Sequence, residues 1–156
     1  MLGTVSSFVY SLSDTFLLNN RVNLKLLDAL TNEQLAHLPG PRARSIADQF
    51  AHLHNVRAMW LEVIAKVKLS KIAKGAVSKA GVRAALEHSA REIAAVVAEA
   101  EGSGRMRGYK NGPAAFCGYM LAHEGHHCGQ IVLHLKHAKM PVAKEVAYGI
   151  WEWEKI

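Results

Sequence analysis

Apolar positions recur along this chain with the period of a helix, and clusters of breakers divide them into four long segments. The first runs from about Val9 to Leu30, with Leu12, Phe16, Leu24, Leu27 and Leu30 on one side. Thr31 followed by Gln34 has the form of a capping box and predicts a short helical turn, which Pro39, Gly40 and Pro41 close. Ser45 with Asp48 three residues later predicts a second helix from Ser45 to Lys66, carrying Ile46, Phe50, Leu53, Val56, Trp60 and Ile64 as its stripe. A lysine-rich stretch of low periodicity then runs to about Ser78 as a solvated linker. Val82, Leu86, Ile93, Val96, Val97 and Ala100 mark the third helix.

EGSGRMRGYKNG, with four glycines in twelve residues, ends that helix. The fourth begins near Pro113, a residue suited to a first helical turn, and carries Phe116, Met120, His123, His127, Ile131 and His134 along one side until Pro141. The tail PVAKEVAYGIWEWEKI adds a short amphipathic piece whose Trp151 and Trp153 pack over a bundle end or contribute to a dimer surface. No run has the β-branched alternation of a strand. The expected fold is therefore all-α, a four-helix bundle, with residues 1–156 as a single domain.

Composition changes this picture little. The chain has 156 residues, half of them apolar, enough for one core and too few for two comfortable ones. Its N-terminal segment lacks a basic start and is interrupted by polar residues, so neither a signal peptide nor a membrane span is expected, and the protein is read as cytoplasmic. The formal charge of +6 raises the question of nucleic acid. Its lysines gather in one tract, Lys66, Lys68, Lys71, Lys74 and Lys79, without interleaved aromatics, so a nucleic-acid partner is not expected. Cys117 and Cys128 lie eleven residues apart on one predicted helix, roughly 16 Å in axial rise, too far for a disulfide. They read as small core residues.

The chemistry lies in the histidines, seven of the nine clustering at 52–54 and 123–137. His123 and His127 stand one turn apart on one helix face, close enough for both imidazoles to reach a single ion. That face also carries core residues, and burying two imidazoles without a partner is costly, which favours a metal. A third ligand has to come from another helix, where the other tight cluster is AHLHNV. His52 and His54 project about 200° apart, so at most one serves; His52, on the side of Val56, Met59 and Trp60, is preferred over His54, which falls with Arg57 and Leu61. His126 is expected to point outward, and His134 lies near the limit of reach. Trp60, Phe116, Tyr119 and Met120 are read as core before pocket mouth.

HEGHH also spells H-E-x-x-H, in which Glu124 is the general base of a zinc peptidase. The extended form fails at Gln130 and Leu133, and no third ligand or strand is evident, so that alternative ranks last.

With one His on the second helix, an H-x-x-x-H pair on the fourth followed by Gly129, Gln130 and Ile131, and a Trp-containing tail, the whole chain resembles the DinB/YfiT-like family of metal-dependent four-helix-bundle proteins. The segments that carry the likeness are IADQFAHLHNVRAMWLE, HEGHHCGQI and MPVAKEVAYGIWEW. The resemblance implies a metal triad of His52, His123 and His127 with open coordination positions, nickel or zinc as the divalent ion, and a homodimer. Cys128 stands where many members have Arg, which puts in doubt any role that Arg has in holding an anionic substrate or the dimer. Relatives include thiol transferases using small thiol cofactors and a thiol-dependent isomerase. The expected function is thus a metal-dependent enzyme of the thiol-dependent transferase or hydrolase type, acting on an unidentified small molecule. The alternative is a non-catalytic metal-binding or stress-response protein, because no buried carboxylate is evident as a general base beside the triad.

Overall fold

The structure is a computed structural model and describes residues 10–156; Val9, with which the first predicted segment opens, lies outside the described residues. Helix α1 (Leu12–Ala29) starts where Ser11 Oγ accepts from Asp14 N–H and Asp14 reaches back to Ser11 N, a complete capping box. The short α2 (Asn32–Ala36) opens on the box formed by Thr31 and Gln34. Helix α3 (Ile46–Ala65) is capped by Ser45, α4 (Lys79–Glu101) by Ser78, and α5 (Gly112–His137) carries Pro113 in its first turn. A short α6 (Lys144–Gly149) and one 3-10 turn (Trp153–Lys155) complete the chain. Among the described residues there is no strand, only an isolated bridge between Met106 and Tyr109.

One predicted boundary shifts. Helix α5 stops four residues before Pro141, because Lys139 turns left-handed (φ 62°) and Met140 N–H bonds back to the Leu135 carbonyl at 3.0 Å. Helix α3 ends with the same turn at Lys66 (φ 61°), where the sequence places it, with Val67 N–H on the Leu61 carbonyl at 3.2 Å.

The long helices close a ring in which α1 and α3 each pack between α4 and α5. Helices α1 and α5 run in the same direction: Leu12 lies by Cys117, Asn19 by Glu124 and Asn23 by Cys128. Helices α3 and α4 run against them, with Trp60 by Phe116 on one side and Lys79 by Leu30 on the other. Because α3 and α4 are parallel, residues 66–78 must travel back along the bundle. The predicted linker is therefore a pinned crossover. Asn55 holds both N–H and C=O of Ile72, Asp48 accepts from Gly75 N–H, and Ile72 and Val77 pack on the core. Its lysines do point to solvent, except that Lys79 reaches back to donate to the Asp28 and Leu30 carbonyls, satisfying the open C-terminus of α1.

The interior is not one continuous apolar core. One cluster includes Leu27, Phe50, Leu53, Leu86 and Ile131; the other includes Phe16, Leu61, Ile93, Phe116 and Met120. Between them in each of the four long helices sits a polar residue: Asn19, Asn20 and Asn23 on α1, Arg57 on α3, Ser89 on α4 and Glu124 on α5, all buried. The buried stripe of α3 follows from this. It uses Phe50, Leu53, His54, Arg57 and Leu61, rather than the predicted Val56 and Trp60, which are half-buried.

Candidate metal centre

At the edge of that polar layer, α3 and α5 face each other in opposite directions, which brings the middle of one against the middle of the other. His52 meets the i, i+4 pair here. Ring centroids are 5.4 Å apart for His52 and His123, 4.8 Å for His52 and His127, and 4.7 Å for His123 and His127. One nitrogen from each ring can be chosen so that all three lie within 4.8 Å of one another. Donor atoms each about 2.1 Å from one ion are at most ~4.2 Å apart, so a small side-chain rotation closes the trio.

Two further observations fit a metal. The Nδ1 atoms of His123 and His127 are buried with no hydrogen-bond partner, a condition that native interiors relieve with a ligand or ordered water. All three rings are also held neutral, as metal ligation requires. Burial, then the neighbouring His123 and His52, pushes His127 down to about 4. His52 is lowered by burial, then by Arg44 and His123. His123 is lowered by burial, against the opposing pull of Glu124. His52 and His123 are only half-buried, so the cluster reaches solvent.

His54 takes a different place. It is 3 % exposed, and its two ring nitrogens lie against the Ser70 and Ala85 carbonyls at 2.9 and 3.1 Å, tying the crossover and α4 to α3. His126 is exposed, as expected, and meets His127 edge-on at 5.4 Å. Phe116 and Met120 are core residues, whereas Tyr119 is 39 % exposed and stacks on His123 at 6.3 Å, on the rim of the cluster.

Sequence reasoning missed the residues beneath the histidines. Glu124 is neither a base nor a bystander: it is fully buried and saturated. Arg57 grips it as a fork, Nε to Oε1 at 2.6 Å and Nη2 to Oε2 at 2.7 Å, while Asn19 and Asn23 each donate to Oε2 at 2.7 Å. Arg57 Nη1 donates to Asn20 Oδ1 and the Leu86 carbonyl, and the guanidinium lies 5.1 Å from the Phe16 ring. A buried carboxylate thus does exist beside the triad, but its lone pairs are committed to α1 and α3. It has no free face with which to take a proton from water, which removes the peptidase alternative. The missed signal was Arg57 on the core stripe of α3, a charge whose burial demands a counter-charge on a facing helix.

The cysteines carry no disulfide and are buried. Burial is the first cause in raising Cys117 to about 11 and Cys128 to about 12, with Cys128 Sγ donating to Asn23 Oδ1 at 3.0 Å. Neither is a thiolate near neutral pH.

A family model described as the DinB superfamily matches residues 16–131. The chain belongs to the DinB superfamily. No curated protein and no solved structure matches it. The span matched by the DinB superfamily contains all three clustered histidines and the whole polar layer from Asn19 to Glu124, while α6 and the tryptophan tail lie beyond it. None of the described helices is long and apolar enough to cross a membrane.

Proposed function

We propose that His52, His123 and His127 hold a divalent ion, nickel or zinc, and that this DinB-superfamily protein is a metal-dependent enzyme of the thiol-dependent transferase or hydrolase type. The observation that carries this reading is the meeting of three neutral imidazoles at a solvent-reaching edge of the bundle, two of them with a buried, unpartnered nitrogen. An all-histidine donor set suits zinc and nickel alike. When bound, such an ion supplies Lewis acidity, lowering the pKa of a bound water toward ~7 and favouring the ionised form of a thiol.

The chain's own residues account for the rest of the arrangement. The fork between Arg57 and Glu124 fixes α5 against α3, so that the pair at 123 and 127 meets His52 with no more than a small side-chain rotation needed to close the trio. Since Glu124 is saturated and both cysteines are held as thiols, the protein offers no nucleophile or general base of its own among these groups. A nucleophile has to enter with the substrate or from water, which is why a small thiol cosubstrate belongs to this reading. The homodimer implied by the family likeness belongs to it as well.

The second reading is a non-catalytic metal-binding or stress-response protein, favoured by that same lack of a free base. Thermal unfolding with and without chelator, beside a transfer assay with a small thiol and an electrophilic acceptor, separates the two. The enzyme reading expects chelation to abolish turnover while the fold persists; unfolding on chelation with no turnover at any stage contradicts it.

A further inference from the structure

A cavity lies on the opposite side of α5 from the histidines. It encloses about 420 Å³ between α1, α5, α6 and the tail, within the ~300–1,000 Å³ range of small-molecule pockets. Its walls are mainly apolar: Val22 from α1, Leu121 and Val132 from α5, Ile150, and the rings of Trp151 and Trp153. None of His52, His123 and His127 lines it.

Two polar features break the apolar lining at its two ends. At the inner end Asn19, 4 % exposed, uses its amide nitrogen on Glu124, and its Oδ1 takes no hydrogen bond among the described residues. Cys128 and Asn23 also lie there, but Cys128 Sγ donates to Asn23 Oδ1 and the Asn23 amide nitrogen donates to Glu124. At the outer end stands Lys136, exposed and without a carboxylate in salt-bridge range among the described residues. Leu121 and Lys136 are fifteen residues apart on one helix, roughly 22 Å along its axis, so the cavity is long and narrow. Trp151, 75 % exposed, stands at its edge, where an apolar side chain gains nothing from water.

We propose that this cleft binds a single-chain amphiphile: an extended apolar body along Val22, Val132 and Trp153, with one anionic head group, a carboxylate, on Lys136. Charge complementarity sets the polarity, because the one charged side chain that lines the cleft is a cation. The apolar walls set the body. The site is independent of the metal centre, with α5 as the wall between them.

The test is calorimetric titration of the full-length protein with octanoate, decanoate and dodecanoate below their micellar concentrations, and with dodecanol as the uncharged comparison. Affinity is expected to rise about fourfold per added methylene (~0.8 kcal/mol) until the cleft is filled. Lys136→Gln, at an exposed position, is expected to weaken dodecanoate about two- to fivefold, as for an exposed ion pair, and to leave dodecanol unchanged. Val132→Trp, which fills the cavity, is expected to abolish binding of both while metal content and helical circular dichroism stay as in the parent. Three results overturn the proposal: no chain-length dependence, binding that survives Val132→Trp, or capture by phosphatidylglycerol vesicles without dodecanoate binding. Sedimentation supplies a fourth, a dimer that Val132→Trp dissociates and dodecanoate does not, which makes the face a contact between copies instead.

Discussion

At the residue scale the interior depends on one carboxylate. Glu124 takes four hydrogen bonds from three residues on two other helices, and Arg57 has no other counter-charge among the described residues. Removing one partner leaves a desolvated charge, so Arg57→Met and Glu124→Gln should each destabilise the fold by about 3–5 kcal/mol, and the double variant by clearly less than their sum. Urea unfolding of the four proteins measures this cycle, and additive effects would show that the pair is not coupled. His127 makes a separate prediction about pH. Its folded pKa, about 4, lies below its ordinary value of 6.5, so in metal-free protein the unfolded chain binds the proton first. Its contribution is intact above about 6.5 and is lost as pH falls from there toward 4. Metal-free protein should therefore lose stability relative to His127→Gln across that window; parallel curves would mean that the ring is not held neutral.

At the scale of elements, helix starts were legible and helix stops were less so. Thr31 and Ser45 cap as predicted, with side chains that accept from the first turn; Ser11 and Ser78 do the same without having been singled out in the sequence, which opens the first segment at about Val9 and leaves Ser78 at the end of the linker. The ends of α3 and α5 instead rest on lysines in the left-handed region, where glycine is the usual signal; the loss of periodicity after Ile64 still marks the first stop at Lys66, whereas nothing at Lys139 announces the second ahead of Pro141. That conformation costs a non-glycine residue about 1 kcal/mol or more. Lys139→Gly should accordingly raise stability by roughly 0.5–1 kcal/mol, read as an upward shift in denaturation midpoint. A loss of stability would show that the lysine contributes a contact that outweighs its strain. The stretch after α3 was read as a solvated linker for a related reason: its anchors, Asp48, His54 and Asn55, lie on α3 about twenty residues away, and periodicity within a segment is blind to them.

On the scale of the whole molecule, the sequence carried the bundle and the meeting of His52 with His123 and His127, because spacing within a helix determines which side chains share a face. It did not carry the polar layer. Arg57 and Glu124 are 67 positions apart; the place of Arg57 among core residues of α3 signals a buried charge, but only the antiparallel packing of α3 on α5 shows which residue answers it. That layer places the triad where two apolar clusters part, next to a neutralised ion pair and open on one side to water. The central claim is that His52, His123 and His127 together hold a divalent ion. Elemental analysis of the protein as purified, beside His52→Ala, His54→Ala and His123→Ala, tests it most directly. The account predicts about one divalent ion per chain in the parent and in the folded His54→Ala, and little in His52→Ala or His123→Ala. Full metal in His52→Ala with loss in His54→Ala, or no metal in a parent refolded with excess zinc or nickel, would contradict it.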